Sequence, residues 1–313
     1  SLIKIVVFCL RNQFDVIYFD RSNVIAAAVL SRLFKKNVFL RLLGITPEMK
    51  KTAYSAHILS RIERWAYRSP FAYVLCTQDG SNGADWLNKM LESSVPRDIM
   101  LNGVDLTIDI INRQSEQRLE LVFISRLEKN KRPEDLVDSI LQLDDSIKSK
   151  IHLKIIGDGI LFPVLAKKID TNNASSFITL LGAIPHNQVV KNLVNADIYI
   201  SLNNQGSLSN CTLEALRAEL MIILVETTAM EKESIELMPR GSVVRIDNDE
   251  LVDALATCLG KVIAQPLKLQ QYKQMSSENT KKITNWDGRI NKEITILEAS
   301  AGLGKGREKS CKI

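Results

Sequence analysis

Residues 206–216 read GSLSNCTLEAL, a run of small polar residues that passes straight into a helical pattern. Leu213, Leu216 and Leu220 recur at helical spacing, so one face of that helix is expected to be buried. Ser209 or Asn210 can cap it. The amides that follow then point out of the N-terminus with the positive end of the helix dipole, an arrangement that binds phosphate. Glu214 is expected on the first turn. There it either balances the dipole, a contribution of about 0.3–1 kcal/mol, or accepts hydrogen bonds from sugar hydroxyls.

Three further loops carry groups of related chemistry. FISRLEKNKRPEDL sets Arg126 at the end of a predicted strand and Lys131 five residues on, before a helix at Pro133. Both cations can converge on one anion, the guanidinium through two parallel bonds and the ammonium as a point charge; a solvated basic turn is the competing reading. IIGDGILFPVL brackets Asp158 with Gly157 and Gly159, and glycine lets a backbone turn sharply and approach a ligand. The third glycine of a dinucleotide fingerprint is missing, so a plain strand-to-helix turn stands beside that reading. LLGAIPHNQVV places a turn at 182–185 with His186 next; a lone histidine there reads as a surface residue and is given no chemistry. The literal DND at 247–249 follows the last strand and reads as a solvated helix cap.

These loops need strands to hold them. Short β-rich runs alternate with helical patterns: FDVIYFD (14–20), SNVIAAAVLSRLF, KKNVFLRLLG (35–44), an amphipathic stretch at 53–69, AYVLCTQDG (72–80) and DIMLNGVD (98–105). After a polar stretch without period, DLTIDIINRQSEQR, the alternation restarts with LELVFISRL (119–127) and runs through IHLKIIGDG, FITLLGAIP, DIYISL, MIILVE and SVVRID. Strands apolar on both faces and separated by helices imply parallel sheets covered by helices. The expectation is two α/β domains in tandem. The boundaries are 1–106 for the first domain, 107–118 for a linker, 119–280 for the second domain, 281–300 for a closing helix and 301–313 for a disordered basic tail.

Bulk properties remove several alternatives. The chain has 313 residues, 45% hydrophobic and 25% charged, with a net charge of +5, of which +3 falls in the last nine residues. No interleaved basic–aromatic surface of a nucleic-acid binder is visible; a basic stripe facing anionic lipid stays open beside a mixed solvated surface. The five cysteines, Cys9, Cys76, Cys211, Cys258 and Cys311, are scattered and form no metal or disulfide pattern, which reads as reduced cytoplasmic thiols. No apolar run reaches the roughly 18–20 residues that span a bilayer, and SLIKIVVFCL is followed by no small-residue cleavage site. The chain begins at Ser1, which reads as a fragment or a trimmed chain.

In combination, LNGVD (101–105), SRLEKNK (125–131), IIGDG (155–159), LLGAIPH followed by ADIYIS, and LSNCTLEAL (208–216) resemble the retaining glycosyltransferases of family 4, over roughly residues 10–295. The resemblance implies the GT-B fold, two Rossmann-like domains with parallel sheets, here with the first domain incomplete. Family members carry roughly 70–90 further residues before the segment matching FDVIYFD, so the chain is either truncated or reduced. It also implies a nucleotide-diphosphate sugar bound by the second domain and a hexosyl transfer to a glycan or lipid-linked acceptor hydroxyl, without a metal or other cofactor. By that analogy Arg126, Lys131 and the amides of Ser209, Asn210 and Cys211 hold the donor diphosphate, Glu214 the ribose, and the backbone near Gly157 and Ile184 the base. Gly44 marks the first-domain side of the cleft, and no catalytic residue is assigned. The expected setting is polysaccharide or glycoconjugate biosynthesis in the cytoplasm, with contact at the inner face of the membrane left open. The helix after Glu214 ends in Glu219 and Met221 where the family has a glycine and then a proline, and two further departures fall at the expected site. Gly206 stands where the family has a first glutamate, and Leu43 stands where it has a histidine before Gly44. An epimerase of the same fold and a catalytically silent nucleotide-sugar-binding module therefore remain as alternatives.

Overall fold

The computed structural model describes residues 2–106, 118–203, 208–226, 237–238, 243–247 and 249–302. Gly206 lies outside them, as do Asn248 of the DND stretch, Cys311, nearly all of the expected linker and most of the expected tail. The chain forms two units, one from the residues up to Gly103 with the segment from Thr284 onward, the other Val104–Ile283.

In the first unit, β1 (Ile17–Asp20), β2 (Val38–Leu42), β3 (Tyr73–Thr77) and β4 (Arg97–Met100) lie side by side in sequence order, all parallel. The alternation of side chains across a strand divides the sheet into two faces. Val38, Leu40 and Leu42 join Val74 and Cys76 in the core, against a helix at Val24–Phe34 whose Ala26, Ala27 and Ala28 allow close approach. On the other face the register aligns Tyr18, Phe39 and Tyr73. Their rings stack with centroids 5.3 and 5.6 Å apart. Arg41 lies on this face too, and Glu293 of the helix Trp286–Ser300 ties it down. Arg289 donates to Glu293 at 2.7 Å, Tyr18 donates to it at 2.7 Å, and the Arg41 Nε lies 3.6 Å away. Gly103 sits so close to the start of this helix that a Cβ would fall 2.5 Å from the Trp286 backbone. The helix expected to close the chain thus packs into the first unit. The opening SLIKIVVFCL, not assigned an element from the sequence, forms a helix at Leu2–Arg11.

In the second unit, β5 (Leu119–Ile124), β6 (Ile151–Ile156), β7 (Ile178–Gly182), β8 (Ile198–Ser201), β9 (Met221–Val225) and β10 (Val244–Ile246) form one parallel sheet. Their order is β10-β9-β8-β5-β6-β7. Relabelled from one edge this is the 3-2-1-4-5-6 order of a dinucleotide-binding fold, with the order reversing between β5 and β8. Leu121 pairs with Ile198 and Val122 with Tyr199 there. In sheets of this order, ligands bind at the carboxyl ends of the strands where the order reverses.

Candidate functional site

At these carboxyl ends stand two of the stretches that the sequence singled out, the one carrying Arg126 and Lys131 after β5 and the helix start at Ser209 after β8. After β5 the chain makes a single tight turn at Lys129–Lys131, and Arg132 takes a left-handed conformation (φ +57°) before Pro133 starts the helix Pro133–Leu141. Proline at the first helical position has no amide proton to leave unsatisfied. This geometry brings Arg126 and Lys131 close enough to interact. The Lys131 ammonium is held below the usual lysine range, first by burial and then by repulsion from Arg126, with Glu128 and Cys211 opposing. The Arg126 side chain is 72% exposed and pairs with Glu128 at 2.9 Å. Two cations held together, one of them partly desolvated, form a site that gains from an anion.

After β8 the chain reaches the helix Asn210–Arg217. Ser209, rather than Asn210, is the cap: its backbone is extended and its Oγ accepts from the Thr212 amide at 3.2 Å. The cap is anchored, since the Thr212 hydroxyl lies 2.9 Å from the Ser209 Oγ and Thr212 is fully buried. Leu213 and Leu216 are buried as their spacing predicts. Leu220 is buried as well but lies beyond the helix, which ends before a left-handed Glu219 (φ +60°). Because the helix begins at Asn210, Glu214 opens its second turn rather than lying on the first, one turn of about 3.6 residues from the terminus. The Cys211 thiol is pushed up to about 11, first by burial, next by Glu214 and against the pull of Lys131. Arg126, Lys131, Cys211 and Glu214 therefore share one electrostatic environment.

Gly157 and Gly159 have an internal reason to be glycine. At Gly157 (φ +134°) a Cβ would lie 1.8 Å from the Ser125 carbonyl oxygen, and at Gly159 one would lie 2.6 Å from that of Leu127. The close approach locks the loop after β6 to the loop carrying Arg126, through Leu127 N–H to the Asp158 carbonyl at 2.9 Å and Leu161 N–H to the Leu127 carbonyl at 3.0 Å. These glycines position the cation loop. Ile184 follows β7 in the loop that leads to the helix His186–Val194.

His186, given no chemistry from the sequence, lies with Nε2 3.0 Å from the Glu214 Oε1, and the Glu214 side chain is largely buried. This pair joins residues 28 positions apart, so spacing could not have revealed it. The only signal was that both residues follow consecutive strands of one sheet.

Gly44, in the first unit, lies just beyond β2 with φ +107°, and a Cβ there would fall 1.9 Å from the Asp79 Oδ2. Asp79 was not singled out. Burial raises its pKa, against hydrogen bonds from Ser81; the Ser81 hydroxyl donates to Asp79 and accepts from the Ile45 amide. Leu43 is 75% exposed. Among the described residues no group of three or more His, Cys, Asp or Glu side chains is gathered as a metal site, and no helix is long and apolar enough to cross a membrane. Among the described residues, Cys9, Cys76, Cys211 and Cys258 are not joined in disulfides.

The profile of the family described as "Glycosyl transferases group 1" matches residues 107–282. Among curated proteins, the chain is 25% identical over 149 residues to the phosphatidylinositol N-acetylglucosaminyltransferase GPI3 subunit of Saccharomyces cerevisiae, over 48% of this chain and 32% of that protein. It is 32% identical over 103 residues to the alpha-monoglucosyldiacylglycerol synthase of Acholeplasma laidlawii, over 33% of this chain and 26% of that one. The matches thus span about a third or less of these relatives. Among solved structures, Anabaena HepE in complex with UDP superposes with a TM-score of 0.73 at 15% identity, over 96% of this chain and 82% of that one, which establishes a shared fold.

Proposed function

This chain belongs to the group 1 glycosyl transferases and has the two-sheet GT-B fold, and from that premise we propose that it transfers a sugar from a nucleoside-diphosphate donor to an acceptor hydroxyl with retention at the anomeric carbon. The bond from the anomeric carbon to the diphosphate oxygen breaks, a bond to the acceptor oxygen forms, and the acceptor gives up its proton. The nucleoside diphosphate leaves with the developing charge. Arg126, Lys131 and the helix terminus at Ser209, Asn210 and Cys211 stabilise that charge, as preorganised donors do where charge appears, so that no metal is called on. Glu214 accepts from the ribose hydroxyls, with His186 fixing its orientation, and the backbone at Ile184 faces the base.

The observation that carries this reading is the shared environment of Arg126, Lys131, Cys211 and Glu214 at the carboxyl ends of β5 and β8. UDP in the HepE complex supports a uridine donor. The names of the two curated relatives, one with phosphatidylinositol and one with diacylglycerol, support a lipid or lipid-linked acceptor.

The test is thermal unfolding with UDP- and GDP-sugars, followed by product analysis. A donor at 100 times its dissociation constant adds about 2.7 kcal/mol of stability; no shift with either class ends the reading. Glu214→Gln is expected to weaken UDP binding and to abolish the preference for UDP over its 2′,3′-dideoxy form. A second reading, a silent nucleotide-sugar-binding module, is favoured by the apolar, exposed Leu43. It predicts donor binding without turnover on any acceptor.

A further inference from the structure

The helix Ile58–Tyr67 buries Ala66 and Tyr67 at its end but carries a second apolar stripe that departs from the usual rule. In a surface helix the apolar stripe faces the core and the polar face meets water. Here Ile58, Leu59, Ile62 and Trp65 are all exposed, Ile58 and Leu59 to 60% and 63%. They recur at spacings of three and four and form one outward stripe. The inward side contains polar residues with specific partners. Glu63 accepts from the Thr52 hydroxyl at 2.9 Å, and Arg64 donates to the carbonyls of Thr52 at 2.7 Å and Ser55 at 2.5 Å. Those bonds fix the rotation of the helix, so the outward stripe is built in. Tyr54, also exposed, extends it.

The surroundings of the stripe are basic. The Arg32 guanidinium lies 5.3 Å from the centre of the Trp65 ring and donates to the Arg68 carbonyl at 2.5 Å. The Lys89 ammonium lies 3.3 Å from the centre of the Tyr54 ring. Lys50, Lys51, Arg61 and Arg68 are exposed in the same segment. The exposed acids of 47–70 and of the helix Gly83–Met90 are Glu48 and Asp85.

We propose that this face docks on an anionic lipid surface, with Ile58, Leu59, Ile62 and Trp65 entering the interface and the surrounding lysines and arginines meeting lipid phosphates. A helix lying in the plane of a bilayer needs an apolar outer face, interfacial aromatics and basic flanks, and all three are present. A second copy of the chain fits poorly, because a two-fold contact would set the basic rim against itself. The proposal does not depend on the donor site, and its test contains no nucleotide.

The test is co-sedimentation of the full chain with vesicles of pure phosphatidylglycerol and of pure phosphatidylcholine. Binding to phosphatidylglycerol is expected at least tenfold tighter and weaker in 0.5 M salt. The triple variant Ile58→Ser/Leu59→Ser/Ile62→Ser is expected to lose binding at least tenfold while the chain stays folded, since none of the three belongs to the buried core of the unit. Arg61→Gln/Arg68→Gln, which leaves the apolar stripe intact, is expected to weaken it roughly 25-fold, about fivefold for each charge removed. The proposal is overturned by equal or absent binding to both vesicles, or by variants that bind as the parent does. It is also overturned by a dimer in sedimentation velocity that the triple variant dissociates, which would make a second copy the occupant.

Discussion

Replacing Lys131 by methionine and, separately, Arg126 by methionine tests how the two cations share the anion. Lys131 is half-buried with its pKa depressed, whereas Arg126 is mostly exposed. A unit charge about 4 Å from a phosphate charge interacts by about 4 kcal/mol at an effective dielectric of about 20, and by about 1 kcal/mol in water. Lys131 belongs nearer the first limit, because folding has already stripped part of its water. Arg126 belongs nearer the second; it must also leave Glu128 and surrender side-chain freedom. Lys131→Met is therefore expected to weaken UDP or GDP binding about 100-fold, equivalent to about 2.8 kcal/mol, and Arg126→Met about fivefold, near 1 kcal/mol. Titration calorimetry at pH 7 measures both. Repeating it in 0.5 M salt should shrink the Arg126 effect more, since exposed charges are screened and partly buried ones much less so. The pH dependence has a definite sign. A bound diphosphate favours the charged amine, so affinity falls as pH rises through the depressed Lys131 pKa, and the methionine variant loses that dependence. A larger effect at Arg126 than at Lys131, or wild-type binding by both variants, would refute the reasoning.

Other consequences follow from single contacts. Gly157→Ala puts a methyl against the Ser125 carbonyl in a backbone conformation that side chains avoid, and should cost about 2–4 kcal/mol in urea unfolding. Glu293→Ala leaves the nearly buried guanidinium groups of Arg41 and Arg289 without their shared carboxylate; about 3–5 kcal/mol should be lost on the same scale. Burial raises the pKa of Asp79, so its contribution to stability is fully present below the unfolded carboxylate value of about 3.9 and is lost as pH rises through the folded value. Asp79→Asn should therefore be more stable than the parent at pH 8, with the difference closing as the pH approaches 4.

Much of this molecule was legible in its sequence because its strands are short, largely apolar runs that stand apart from the helical patterns. LELVFI, IHLKII and MIILV announce themselves as buried parallel strands, and the capping residues at 208–210 announce a helix start. Local chemistry of that kind depends on neighbours in the chain, so the residues alone determined the α/β class, the start of the Glu214 helix near Ser209 and the proximity of Arg126 to a strand end. Strand order is different. Only the folded sheet set β8 beside β5 and so put the Ser209 helix terminus next to Lys131, because hydrogen-bonded pairing between strands is blind to distance along the chain. The same holds for the meeting of His186 with Glu214, the pressing of Gly157 on Ser125, and the choice of Arg64 and Glu63, rather than Ile62 and Trp65, to face inward. Periodicity shows that a helix has two faces; the groups that pack against it decide which one is turned to water.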